Sequence, residues 1–227
     1  MKLSKNLTLP IYTKTEELLN VITHGIGSIA SLIGSFFLIC ISLQSFNFAF
    51  LICSIVYVFT SFVLYASSTI YHLIPYNFEK LKAIFRKFDH CCIFLFIAGS
   101  YTPISIFLIK GRTGINILII VWLAAILGII LNSIDVNRFV KFSLAFYVTI
   151  GWSIVFATKP VLINSSFYQI LLLIIGGLFY TVGAVIYILG RKIKYMHFIW
   201  HLFVLFGSAL HYILIYSVYE KEIKFLN

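Results

Sequence analysis

Three stretches of this chain carry histidines inside or at the edge of apolar segments. One runs from Ser68 to His72, the second is Asp89 with His90, and the third runs from His197 to His201. Ionisable groups are costly inside a bilayer and mark function where they occur. Three imidazoles and a carboxylate are the inventory of a catalytic zinc site, which takes three protein ligands and leaves a fourth position for water. His72, His197 and His201 could supply the three nitrogens. Asp89 then suits a place outside the ligand set, as a base or orienter of water. Ser68, one helical turn before His72, could hydrogen-bond that water or a substrate oxygen. Zinc in such a site activates water at neutral pH.

Helical spacing sharpens this reading. His197 and His201 are four residues apart, so both imidazoles share a face. Ser208 and His211 extend the same face, all four falling within an arc of roughly 80° at about 100° per residue. His211 lies about 15 Å further along the helix than His201, at about 1.5 Å per residue, too deep for the same ligand shell. Ser68 and His72 repeat the four-residue spacing. Glu17, Asn20 and His24 form one more polar stripe. Blander readings stand beside these. His24, His90 and His211 could each be an interhelical hydrogen-bond partner. Asp89 could be a helix N-cap. Ser68 could bond back into its own helix.

The elements that must position these residues are membrane helices. Of 227 residues, 61% are hydrophobic and 11% charged, where a soluble domain carries about 25% charged residues. Mean hydropathy is +1.04. A crossing helix needs about 20 apolar residues. Seven segments qualify: Leu18 to Ser42, Asn47 to Leu73, His90 to Ile109, Gly114 to Leu131, Phe139 to Ala157, Phe167 to Leu189, and Met196 to Val218. The joints are short, and no long linker or clear repeat interrupts them. The expected organisation is an all-α, seven-helix integral membrane bundle over residues 18–218. A segment of residues 1–17 precedes it and a short tail of residues 219–227 follows. Cys40, Cys53, Cys91 and Cys92 all lie in apolar runs and read as small buried hydrophobes rather than a disulfide framework.

The net charge is +10. The basic residues lie between apolar runs, leaving no soluble basic face for nucleic acid, so the charge reads as membrane orientation. Lys2, Lys5, Lys14, Lys80, Lys82, Arg86, Lys87, Arg138, Lys141, Arg191, Lys192 and Lys194 fall on one side. Lys110, Arg112, Lys159, Lys221 and Lys224 fall on the other. The bias predicts a cytoplasmic N-terminus and an external C-terminus. It also places Glu17, Asn20, His24, His72, Asp89, His197 and His201 at the cytoplasmic end.

These residues resemble the progestin and adipoQ receptor superfamily, and in particular its bacterial branch, the hemolysin III family. The likeness covers nearly the whole chain. Glu17, Asn20, Thr23, His24 and Gly25 resemble the family's first-helix signature. Asp89 and His90 with residues 97–103 resemble the third. Gly151, Trp152, Gly176, Gly177, Tyr180 and Gly183 match the fifth and sixth. His197, His201, Phe203, Val204, Ser208 and His211 match the seventh. The resemblance implies zinc near the cytoplasmic face, held by His72, His197 and His201, with Asp89 holding water and Ser68 nearby. Relatives in the wider superfamily include ceramidases, which hydrolyse lipid amides. The hemolysin name implies cell lysis, and bacterial members have been linked to membrane-lipid homeostasis.

Three functions follow as expectations. The first is a zinc-dependent hydrolase of a lipid amide or ester in the bacterial plasma membrane, with membrane lipid as its partner. The second is a cytolysin, against which stands the absence of any evident water-compatible form. The third is a receptor or sensor with structural zinc, whose coordination shell would be closed.

Overall fold

The computed structural model describes residues 9–45, 47–189 and 193–226. Lys2, Lys5, Arg191 and Lys192 lie outside the described residues. Local chemistry sets the first boundaries. Thr13 caps α1 (Lys14–Gln44) through a reciprocal box: Glu16 N donates to Thr13 Oγ1 at 3.3 Å and Thr13 N donates to Glu16 Oε2 at 2.9 Å. The helix thus starts one turn before the apolar run, at Lys14 rather than Leu18. Asn47 caps α2 (Phe48–Leu73), its Oδ1 accepting from Ala49 N.

The third span departs most from the sequence reading. A short 3₁₀ turn (Tyr76–Phe78) leads into α3 (Glu79–Pro103), so the helix starts eleven residues before His90. Asp89 therefore lies within a helix and is not its N-cap. After Pro103 a π-helical stretch (Ile104–Ile109) finishes the crossing. Lys110 and Gly111 then turn the chain with φ of +63° and +58°, and Gly111 takes the second of these at little steric cost.

Helix α4 (Gly111–Ile134) ends at Asp135, whose side chain caps α5 (Val136–Gly151) by accepting from Asn137 N and Arg138 N. The fifth span is broken. A 3₁₀ stretch (Trp152–Ala157) and a short α6 (Thr158–Asn164) continue it beyond the expected end at Ala157. Tyr101 braces the break: its hydroxyl donates to Gly151 O at 2.6 Å and accepts from Ile154 N at 3.0 Å. Helix α7 (Phe167–Leu189) matches its expected bounds. Helix α8 (Met196–Leu226) carries on through the residues expected as a tail.

Among the described residues, seven spans are long and apolar enough to cross a membrane, and the third is the most buried. Helix α1 packs against α2 and α8, α2 against α3, α3 against α4, and α7 against α8. Glycines set the closest approaches: a Cβ at Gly207 would press into the ring of Tyr180, and one at Gly176 would overlap His211. Outward faces are apolar, as with Ile29, Leu32 and Phe36 of α1 and Ile119 and Leu123 of α4. That is the surface a lipid solvent demands. Cys53 and Cys92 are buried, Cys40 and Cys91 partly so, and all four are free.

Candidate metal centre

Four helices deliver polar groups to one end of the bundle. The last two turns of α2 carry Ser68 and His72. The first turns of α8 carry His197 and His201, on one face because they are four apart. Helix α1 brings Glu17, Asn20, Thr23 and His24, and α3 brings Lys82, Arg86, Asp89 and His90. Apart from Glu17, which is half-buried, all these side chains are buried.

Among the described residues, His72, His197 and His201 form a group that could hold a metal ion, their ligand atoms lying within 4.8 Å of one another. His72 Nε2 and His197 Nε2 stand 3.3 Å apart. Two nitrogens bound tetrahedrally to one zinc, each at about 2.05 Å, are separated by about 3.3 Å. His201 Nε2 is buried with no hydrogen-bond partner among the described residues. The outward nitrogens are engaged. His72 Nδ1 lies 2.6 Å from Glu17 Oε2, and His201 Nδ1 lies 3.1 Å from Thr23 Oγ1. Imidazoles held at Nδ1 with Nε2 turned toward a common centre are a donor set suited to zinc.

The remaining site residues divide into groups. Ser68 Oγ is buried and unpartnered among the described residues, so no bond back into its own helix is present. Asp89 Oδ2 lies 3.3 Å from His90 Nδ1, although the two are sequence neighbours. His90 also approaches Tyr187 OH at 3.2 Å and Arg86 O at 3.0 Å, as the bland reading of that residue expects. His24 has no hydrogen-bond partner at either nitrogen among the described residues. It stacks instead on His201, with ring centroids 3.5 Å apart. Asn20 Nδ2 stands 3.4 Å from His72 Nδ1. His211 lies apart from the trio, its Nε2 3.3 Å from Leu173 O.

Beside the trio lies a cavity of about 310 Å³. Its walls come mainly from α3, the broken fifth span, α7 and α8 and are mostly apolar, with Phe96, Ile97, Val148 and Leu173 among them. One end is marked by Asp89, His90 and His24, and His211 also lines it. None of the trio lines the cavity; His24 touches both the cavity and His201.

Thr23, Lys82, Tyr12 and Tyr76 had no site role in the sequence reading. Thr23 sits at the edge of the α1 stripe, where 100° per residue already brings it near Asn20. Lys82 looked like an orientation charge. Tyr12 stacks on His197 at 4.9 Å, and its backbone N donates to Tyr76 OH at 2.8 Å. Burial raises the Tyr12 phenol well above the ordinary tyrosine value, so it packs as a neutral ring. Nothing in a lone tyrosine or its partner, before the first helix and after the second, signals this contact.

A profile of the family described as haemolysin-III related matches residues 12–212, a range that holds every residue of this centre. Hemolysin-3 of Bacillus cereus is 40% identical over 195 residues, covering 86% of this chain and 88% of the relative. A hemolysin-3 homolog of Bacillus subtilis (strain 168) is 37% identical over 219 residues, covering 96% of this chain and 100% of the relative. The monocyte to macrophage differentiation factor of Homo sapiens is 29% identical over 171 residues, covering 72% of this chain and 69% of the relative.

Proposed function

This chain belongs to the hemolysin III family, within the progestin and adipoQ receptor superfamily, and from that premise we propose that it is a zinc-dependent hydrolase acting inside the membrane on a lipid amide or ester. One observation carries the proposal: a buried three-histidine group stands next to an apolar cavity whose polar end includes a buried carboxylate, Asp89. The cavity volume of about 310 Å³ is at the lower end of the range of about 300–1,000 Å³ for small-molecule sites. Its apolar wall suits the hydrocarbon part of a membrane lipid.

His72, His197 and His201 would hold the metal. When bound there, zinc supplies Lewis acidity and activates water near neutral pH. Asp89 accepts the proton of the attacking water and returns it to the departing amine or alcohol. A carbon–oxygen bond to water forms, the amide or ester bond breaks, and the proton goes to the leaving group. Ser68 donates its hydroxyl to the substrate carbonyl oxygen. The cavity aligns the chain and keeps bulk water out. In this reading the N-terminus and the metal centre face the cytoplasm of a bacterial plasma membrane, and turnover contributes to membrane-lipid homeostasis.

The experiment is a comparison of lipid extracts from cells expressing wild type, Asp89→Asn or His201→Ala. A lipid species depleted only by the wild type, with its hydrolysis products raised, supports hydrolysis. Identical profiles across all three argue against enzymology and favour a receptor or sensor with structural zinc. One observation already leans toward that second reading: His24, rather than a member of the trio, faces the cavity. The name of the Bacillus relatives raises lysis as a further alternative. Purified protein that lyses erythrocytes with His72 and His201 replaced would support it.

A further inference from the structure

His72 is gripped from behind by an ion pair. Glu17 Oε2 lies 2.6 Å from its Nδ1, and Glu17 Oε1 lies 2.9 Å from Lys82 Nζ. Lys82 is 0% exposed. Its ammonium also donates to Tyr71 O at 3.1 Å and Ile74 O at 2.8 Å, and it sits over the rings of Tyr71 and Tyr76. An ammonium has three protons and no acceptor. Two of its protons go to the carbonyls that end α2, and the ammonium faces Glu17 Oε1 as an ion pair. Glu17 Oε1 thus faces Lys82, and Oε2 faces His72.

That division fixes a tautomer. A carboxylate only accepts, so His72 Nδ1 must carry the proton, and Nε2 keeps its lone pair. Nε2 is the nitrogen that faces His197. Thr23 does the same for His201. Its hydroxyl donates to Leu19 O or Asn20 O, so its oxygen accepts from His201 Nδ1. The Asn20 amide agrees once turned to present its oxygen to His72, since amide nitrogen and oxygen are assigned from the network around them.

We propose that Glu17 and Lys82 are positioning residues of the metal centre: their ion pair locks His72 in the Nδ1–H tautomer and thereby sets the metal affinity of the trio. The inference rests on the metal-binding half of the proposed function and is independent of hydrolysis.

A tautomer lock has a signature that packing alone lacks. Glutamine at position 17 has one acceptor and one donor. Lys82 claims the acceptor, which turns the amide NH₂ toward His72 Nδ1. Nδ1 must then accept, the proton moves to Nε2, and the ligand is blocked. Without Lys82 the amide is free to turn its oxygen to His72 and restore the correct tautomer. Glu17→Gln is therefore severe with Lys82 present and milder without it.

The test measures zinc affinity of the purified full chain in detergent by competition with a chelator. Cobalt(II) absorption reports tetrahedral coordination as a second readout. Loss of an outer partner costs about 10–100-fold in metal affinity. Glu17→Gln should fall by that factor, Lys82→Met by less, and the double variant should bind more tightly than Glu17→Gln alone. His72→Ala sets the floor. Should Lys82→Met fail to fold, the ¹⁵N shifts of labelled histidine in wild type and Glu17→Gln decide, since they report the tautomer of His72 directly. Wild-type affinity in Glu17→Gln, an unchanged tautomer there, or a double variant no better than Glu17→Gln overturns the lock while the metal site stands. A wild-type protein that binds no zinc overturns the metal site and the lock together.

Discussion

Each end of the bundle holds a lysine–glutamate pair that ties helices far apart in sequence, and the two pairs serve different ends. At the basic end Lys82 and Glu17 join α3 to α1, with the lysine side chain 0% and the glutamate 14% exposed. At the opposite end Lys110 and Glu222 join the turn before α4 to α8, with side chains 41% and 22% exposed. Around the second pair the remaining polar bonds close helix ends: Asn164 donates to Leu108 O and Ile109 O, and Lys221 donates to Asn164 O. Around the first pair, they lead to His72 and from there to the trio. A buried ion pair is weak evidence for stability, because desolvation offsets much of its attraction. What sets this pair apart is its contact with His72. The comparison teaches that the same two residue types tie helices together at both ends, and that only the buried pair also reaches a histidine of the trio.

The sharpest way to break the comparison is to ask whether the two ends face opposite sides of a membrane. Reporter fusions near Glu79 and after Asn227 should give all-or-none opposite signals, the first cytoplasmic. Matching signals would overturn the orientation and with it the assignment of the metal end to the cytoplasm. Next in size is loss of a ligand. His72→Ala or His201→Ala should remove most of about one zinc per chain, measured by metal analysis of purified protein, because three nitrogens are the whole set. His211→Ala should keep it. Full zinc retention in both ligand variants would sink the metal assignment. Asp89→Asn comes third. It should keep the metal and reduce hydrolysis by about 10²–10⁴-fold, the scale of general acid–base catalysis. Asparagine still forms hydrogen bonds but does not accept a proton as a base. Equal turnover in Asp89→Asn and wild type would remove Asp89 from the chemistry.

The seven spans and the histidine trio were legible because apolar length and four-residue spacing are local signals. The start of α3 was not. Residues 79–88 fell in the basic joint before the third expected span, yet they are helical, with Lys82, Arg86 and the following Asp89 turned inward and buried. Leu81, Ile84 and Phe88 face outward, 46–57% exposed. The period of three to four residues was present, but with the polarity reversed from that of a soluble helix. In lipid the charged stripe is the inner one. The same reversal hid Lys82 and Arg86 among the charges counted for orientation. The partners of the trio on α1 were half legible: the stripe of Glu17, Asn20 and His24 was visible, but no spacing rule says which imidazole each one meets. His24 shows the limit, since it stacks on His201 instead of hydrogen-bonding across helices as a lone histidine in a membrane often does.

The smallest effects separate the two ion pairs themselves. Lys82→Met leaves a largely buried carboxylate without its counter-ion and frees two carbonyls at the end of α2. Breaking one partner of a buried pair costs about 3–5 kcal/mol, and the value here should fall toward about 3 kcal/mol because Glu17 keeps His72 as a partner. Lys110→Met removes a pair that water already screens, and such pairs contribute about 0.2–1 kcal/mol. Its zinc affinity should equal that of wild type, since Lys110 touches no group in the chain of contacts from Glu17 to the trio. Denaturant unfolding in detergent measures the first quantity and chelator competition the second. A Lys110→Met variant that lost zinc affinity would mean that strain at one end reaches the histidines through the long helices. The division between a clamp and a positioning pair would then fail, because α8, which carries both Glu222 and His197, would be transmitting the change along its own length.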